Sequence, residues 1–496
     1  MSNKWLNVVS GAALAVSLAG CMVGPNFERP EAPATSRYTE RPMPAETVSA
    51  TGTGGAAQRF GNGDLPAQWW TLFHSDALDI LVREGLEHSP TQASARATLL
   101  QAQENLAAGT GGLMYPSVTG NLNANREKIS STQVVGAGSR TNVFNLYNAS
   151  VDISYALDIF GGNRRQLEAL QALVDYQRYQ LEGARLTLSA NIVTAAIREA
   201  SLRAQIEATQ QTLAAEEESV RRVQRQFQAG GVGRLDVVSV QSQAAQTAAT
   251  IPPLENQLAQ VRHQLAVLTG HVPSEASIPQ FDLDGLKLPE DIPVRLPSEL
   301  VRQRPDIRAS EALLHQASAQ VGVATANLYP KVDLTGSLSG QASQLHNLFA
   351  GPALFNIGAG LVQPIFNGGQ LQAERRAAID AYDAANAQYQ QTVLQAFGNV
   401  ADALRALEDD ARTLKAQVEA EALARTRLDL TRKQWDLGGT SYLTLLDAQR
   451  QHAIALAALV AVQGTRYADT AALFQALGGG WWDAERTAAE PGASVN

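Results

Sequence analysis

Between Asn145 and Ile159 apolar and polar residues alternate. Tyr147, Ala149, Val151, Ile153, Tyr155, Leu157 and Ile159 fall on one side, Asn148, Ser150, Asp152, Ser154 and Asp158 on the other. This is the period of a strand with one apolar and one polar face. After Gly161-Gly162 the spacing changes to three and four, through Leu167, Leu170, Val174, Leu181, Leu188, Ile192, Ala196 and Ile206. It predicts a helix over 163–229, a rod of roughly 67 residues and near 100 Å. Gly230-Gly231 turn the chain, and a second helix returns over 234–270, which Pro252-Pro253 should kink or interrupt. Upstream, helical spacing begins at "QWWTLF", puts Leu78, Leu81, Val82 and Leu86 on one face, and continues toward Ala108. "GTGG" and Tyr115-Pro116 should break it before a weaker strand over 117–126.

The same plan then starts again. Alternation over 331–341 (Val332, Leu334, Gly336, Leu338, Gly340) and 353–366 (Phe355, Ile357, Ala359, Leu361, Ile365) predicts two more strands. Gly368-Gly369 precede a second long helix, 370–436, with a seam of Tyr389, Val393, Ala396, Val400, Ala403, Leu407, Ala411, Leu414 and Val418. Alanine on that seam implies closely approaching helices. Gly438-Gly439 turn into a last helix, 441–477. Tyr115-Pro116 matches Tyr329-Pro330 at an offset of 214, Phe160 matches Phe366 at 206, and Gly230-Gly231 matches Gly438-Gly439 at 208. Three landmarks at near-constant spacing identify an internal duplication. The chain therefore divides into a signal segment 1–20, a Pro/Gly/Thr-rich linker 21–64 and a first repeat 65–270. A connector 271–297, a second repeat 298–480 and a disordered tail 481–496 follow.

The N-terminus changes the picture most. Lys4, the short apolar run Val8–Leu18 and Leu18-Ala19-Gly20-Cys21 read as an export signal ending in a lipobox. The only cysteine of the chain would then become the acylated first residue; the plainer alternative is an ordinary signal peptide that contains a cysteine. Acyl chains contribute about 0.8 kcal/mol per buried methylene, so several on one residue anchor a protein firmly. Met22 rather than Asp after the cysteine favours the outer membrane. No other apolar run is long enough to span a bilayer as a helix.

Charge and chemistry remove alternatives. With 39 basic against 48 acidic residues the net charge is −9, and no basic patch tracks a phosphate backbone, so nucleic acid is not a partner. The seven histidines form no HxxxH or HExxH pair. "GGVGRL" lies between helices and lacks the Lys-Ser/Thr ending of a phosphate loop. No metal, no cofactor and no enzymatic activity are expected. Four strands cannot close a barrel, and an open edge is not tolerated in hydrocarbon, so a membrane sheet must oligomerise; three chains would supply twelve strands. A soluble sheet packed on a helical bundle is the alternative.

The lipobox with "CMVGPNFERP", then "WWTLF", "RPDIRASEALL", "NLYPKVDLTG", "IFNGG" and "GGTSYLTLLDAQRQ", closely resembles the TolC-like outer-membrane efflux family. The resemblance is to its lipoprotein branch, represented by OprM and NodT, over residues 22 to 480. It implies a mainly α fold with membrane β. A homotrimer would form a 12-stranded outer-membrane barrel continuous with a periplasmic α-helical barrel. Its partners would be a periplasmic adaptor and an inner-membrane pump of RND type, its surroundings outer-membrane lipid, and its cargo drugs or other small molecules. A duct for type I protein secretion and a periplasmic coiled-coil adaptor or scaffold stay open as alternatives.

By residue-by-residue match, Leu443 would form an apolar constriction at the periplasmic mouth and Asp447 an acidic ring. Arg450 would join polar links to the neighbouring hairpin, which carries Asp236. Otherwise Asp447 and Asp236 are solvated helix-tip residues. Gly161-Gly162 and Gly368-Gly369 would be strand-to-helix hinges, and Gly230-Gly231 and Gly438-Gly439 the hairpin tips. Thr440 or Ser441 would cap the last helix. Trp435 and Asp436 depart from the commonest family pattern before the tip.

Overall fold

A computed structural model of the protein describes residues 22–129, 142–294 and 296–482. Cys21, the signal segment and most of the tail lie outside the described residues. In chain order the elements are β1 (Arg59–Gly61), α1 (Asp76–His88), α2 (Pro90–Met114), β2 (Ser117–Ile129) and β3 (Asn142–Leu157). Then come α3 (Gly162–Gln228), α4 (Arg234–Leu268), β4 (Asp291–Pro293), α5 (Pro297–Gln303) and α6 (Pro305–Ala326). The last are β5 (Lys331–Ala342), β6 (Leu354–Val362), α7 (Gln370–Asp436) and α8 (Tyr442–Ala476). Both long helices and both return helices fall within about two residues of their predicted ends.

Three expectations are corrected. Glycine is merely costly in a helix, so α2 runs through Gly109–Gly112 and stops at Tyr115-Pro116. A side chain at Gly109 would strike Leu170 of α3 at 2.6 Å, so the glycine lets the two helices approach. Conversely, the helical pattern after Trp69 is not continuous: a 3-10 turn (Trp69–Phe73), α1 and α2 are separated at Ser75 and Ser89. Ser75 caps α1 by accepting the Leu78 N–H. Third, Pro252-Pro253 do not interrupt α4, which runs through both prolines. The pair removes two N–H donors, but packing of α4 through Val261 and Leu265 holds the helix together.

The chain forms two compact units. One comprises, of the described residues, 22–30 with Thr98–Gln177 and Ser310–Tyr389. Its centre is an antiparallel sheet in the order β2-β3-β5-β6. The register places Val118 opposite Ile153, Val151 opposite Leu338, and Leu338 opposite Phe355. One face is therefore apolar across all four strands, yet it is not a core: Leu122 is 70% and Ile357 82% exposed. The other face carries Asn121, Asp152, Ser337 and Asn356, with the Asn121 amide and the Ser150 hydroxyl donating to Asp152. Two strands end earlier than predicted. Asp158 leaves the ladder to accept the N–H groups of Asn163 and Arg164 at the start of α3, and Pro364 has no N–H with which to extend β6.

Residues 22–30 are extended but docked. Val23 donates to the Phe160 carbonyl, and a side chain at Gly24 would meet Gly322 of α6 at 2.5 Å. Arg165, 1% exposed, donates to the carbonyls of Val23 and Gly24, to Asn26 and to Glu168. His315 is held between the Phe27 ring, at 4.4 Å, and Glu168.

The second unit comprises Glu31–Ala97, Arg178–Ala309 and Gln390 onward. Trp69, Trp70 and Phe73 pack with Ile192 of α3, Leu265 of α4, and Tyr467 and Phe474 of α8. The predicted linker and connector both contribute here. The connector buries Phe281, Leu283, Leu286, Leu288 and Ile292, and β4 pairs in parallel with β1 from the linker. Buried Gln58 donates to Pro289 and Thr470. Most of the predicted α7 seam, Val400, Leu407, Ala411 and Leu414 included, is buried.

Arg466 of α8 is fully buried and donates to Thr47 and to the Ala56 carbonyl. Nearby on α7, burial and the adjacent Asp469 carboxyl push Asp410 up to about 7, against the pull of Arg466. From about pH 4 to about pH 7 the folded chain holds a proton that the unfolded chain has released, so stability falls as pH rises through that window. Asp410→Asn should remove this slope. The urea midpoint of the variant should then vary less than that of the parent between about pH 5 and about pH 8.

Candidate functional site

The two hairpin tips are built alike. At the end of α3, Gly230 takes φ +75° and its N–H donates to Phe227, while Gly231 donates to Gln226. At the end of α7, Gly438 takes φ +74° and donates to Trp435, while Gly439 donates to Gln434. Each is a Schellman stop, in which the first glycine supplies the left-handed residue. The following helix starts are capped differently. Asp236 accepts the Gly233 N–H at 3.0 Å, and the Ser441 hydroxyl accepts the Thr444 N–H at 3.3 Å. Of the two predicted caps, Ser441 is the one used.

The tips share a small core of Val223, Val240, Tyr442 and Leu445. Trp435 stands edge-on to Tyr442 at 5.7 Å, and the Arg222 guanidinium lies 5.7 Å over the indole and 3.5 Å from Asp436. Trp435 and Asp436 thus fasten the end of α7 to α3 through one arginine. Gln449 donates to Ser219. Burial pushes the Tyr442 phenol up to about 12, reinforced by Glu216, whose own carboxyl is raised chiefly by burial.

Leu443 is 55% exposed at the start of α8. Asp447 accepts from Arg427 of α7 at 2.6 Å, with both side chains about half exposed. Among the described residues of one chain, Arg450 and Asp236 are not joined to each other. Asp236 serves as a helix cap, and Arg450 is exposed on the rim of a 280 Å³ groove with Thr209, Gln243 and Thr247. At the strand-to-helix joints Gly161, Gly368 and Gly369 have positive φ, as hinges should. Gly162 does not; a side chain there would meet Ala326 at 3.1 Å, so close approach explains it.

Four residues escape the sequence reading: Arg427, Glu421, His452 and Leu235. Arg427 and Asp447 stand ten residues before and after Leu437, at mirror positions across the tip, and Glu421 and His452 pair in nearly the same way, at 3.1 Å. Mirror counting about the glycine stop would have found both pairs. Leu235 is the repeat mate of Leu443, second residue of its helix and 73% exposed.

Among the described residues no helix is long and apolar enough to cross a membrane. The family model "Outer membrane efflux protein" matches residues 81–271 and 296–479, one block on each side of the connector. The chain belongs to the outer membrane efflux protein family. It is 31% identical over 488 residues to the pyoverdine export outer membrane protein OpmQ of Pseudomonas aeruginosa, covering 97% of this chain and 98% of the relative. To nodulation protein T of Rhizobium leguminosarum bv. viciae it is 30% identical, covering 95% and 93%. The solved structure of the outer-membrane channel OprN superposes with a TM-score of 0.83 at 28% identity, covering 93% of this chain and all of that one. The function of this outer membrane efflux protein is that of an outer-membrane efflux duct.

The tip core should set how firmly the hairpins stay together. Tyr442→Ala removes a buried ring, a change worth about 3–5 kcal/mol in well-packed sites. Hydrogen exchange at the amides around Gly230 and Gly438 should speed up by about a hundred-fold or more, whereas Tyr442→Phe, which keeps the ring, should leave it near the parent rate.

Proposed function

We propose that three copies of this efflux protein close a twelve-stranded barrel in the outer membrane, and that their long helices enclose a periplasmic tunnel shut at the hairpin tips. The observation that carries this reading is the apolar sheet face, continuous over β2, β3, β5 and β6 and exposed along its length. A face of that kind needs lipid, and a sheet in lipid needs closed edges. The polar face, with Asp152 and its neighbours, then lines water.

Cys21 carries the covalent lipid and no other cofactor is needed. Support for the anchor comes from its neighbours. Met22 packs on Gly161 and Val23 bonds to Phe160, so the residues that follow Cys21 sit at the strand-to-helix joint, level with one end of the apolar face. The protein supplies no energy; a periplasmic adaptor and an inner-membrane pump of RND type drive the export. Small molecules are the cargo, a reading that the pyoverdine-exporting relative supports.

At the tips, exposed Leu443 and Leu235 form the apolar constriction, and the Asp447–Arg427 pairs hold the second hairpins closed. Half-exposed pairs contribute little each, so the gate is weak enough to be opened by a partner. In planar lipid bilayers the purified protein should form channels of low conductance. Asp447→Ala and Arg427→Ala should each raise single-channel conductance several-fold. No channel at all would refute the duct, and unchanged conductance in both variants would remove the pair from the gate. Cys21→Ser should abolish palmitate labelling.

A further inference from the structure

The apolar face of the four-stranded sheet is interrupted by charge at one place. The face is made by the even positions of β2 and β5 and the odd positions of β3 and β6, as the pairs Val118–Ile153, Val151–Leu338 and Leu338–Phe355 establish. Over those positions the charged residues are Arg126 and Lys128, both exposed and both at the end of β2 away from α2. Glu127, between them, falls on the polar face opposite Phe144. No acidic residue lies on the apolar face, and the connecting segments 130–141 and 343–353 contain none. In a chain of net charge −9, this end of the sheet presents uncompensated positive charge on its apolar side.

Two tyrosines give these charges a depth. On the same face Tyr147 lies opposite Ala124, and Tyr155 lies opposite Leu334. The eight residues from Tyr147 to Tyr155 make about 27 Å of strand, or about 20 Å along the axis of a tilted barrel. Ala149, Val151 and Ile153 fill the interval. Aromatic rings at such a spacing mark the two interfaces of an apolar band. Arg126 and Lys128 stand opposite Asn145 and Val143, beyond Tyr147. They are therefore about 7 and about 14 Å of strand outside the band, where a charge on the lipid-facing side is tolerated. At the helix end the outermost positions of the same face, Val118, Leu157, Val332 and Leu361, are uncharged.

Resting on the barrel reading above, we propose that Arg126 and Lys128 form a binding site for a phosphate-bearing lipid headgroup of the outer leaflet. The two share one face of a strand with Cα atoms about 7 Å apart, so both reach the phosphates of a single headgroup. The guanidinium supplies a planar pair of N–H donors suited to phosphate, and the ammonium a compact charge. Their aliphatic stems lie along the apolar face while the charged ends extend past the girdle.

Binding of diphosphoryl lipid A to the full-length protein in mild detergent, read as lipid retained per chain, tests the site. A basic residue beside an anionic lipid surface contributes about fivefold to binding, so Arg126→Gln with Lys128→Gln should weaken it about twenty-five-fold. Arg126→Lys keeps the charge and should stay within about threefold of the parent. Lys331→Gln, on the polar face, should match the parent, which separates a local site from net charge. Inorganic phosphate at the same concentration should not displace the lipid, and lipid A stripped of its phosphates should bind parent and double variant equally weakly. Equal retention of diphosphoryl lipid A by parent and double variant, an equal loss with Lys331→Gln, tight binding of the stripped lipid, or displacement by free phosphate would each overturn the site while leaving the duct intact. A parent protein that forms no channel in planar bilayers would instead defeat the barrel reading beneath it.

Discussion

Among the described residues no strand bonds to the backbone N–H and C=O groups along the outer sides of β2 and β6. In water such an edge is solvated at little cost. In hydrocarbon each unsatisfied group costs several kcal/mol. On the reading proposed above the sheet lies in hydrocarbon, because among the described residues its apolar face, from Val118 to Leu361, is left uncovered. Burying that face without closing the edges is not possible, and closing the edges with four strands is not possible either. On the proposed reading, association of whole chains satisfies both conditions at once.

The two ends of the plan use glycine differently. At the joints Gly161, Gly368 and Gly369 redirect the backbone from strand to helix, and at the tips Gly230 and Gly438 stop one helix so that another can return. The joints are fastened asymmetrically. The first is held by Asp158, by Met22 and by the Phe160–Tyr329 stack, whereas Ile365 and Phe366 of the second are almost wholly exposed. The tips are fastened by one tyrosine, one tryptophan and a few half-exposed charges.

Much of this was legible from local pattern. Period-two alternation found the four strands of the antiparallel sheet, though not β1 and β4, and the glycine pairs punctuated the long helices to within a residue or two. What the pattern could not supply depended on distant partners. Arg165 is one charge among many in sequence, yet it is buried because residues 23–26 surround it. The connector has no periodicity, and its Phe281 and Leu283 find their core only among the helices. Pro252-Pro253 and Gly109 violate helix propensity, and tertiary packing overrides it. At the tips, family likeness pointed to Leu443 and Asp447 but gave Asp447 no partner inside its own hairpin; folding the hairpin about Leu437 supplies Arg427.

The central claim is that four strands of one chain are a third of a closed membrane wall. Electron cryo-microscopy of the full-length protein in lipid nanodiscs would count those strands directly. The account predicts threefold symmetry, twelve strands, and β6 of each copy joined to β2 of the next with the apolar face toward lipid. A different strand number, or β2 and β6 edges left unpaired in the bilayer, would contradict it.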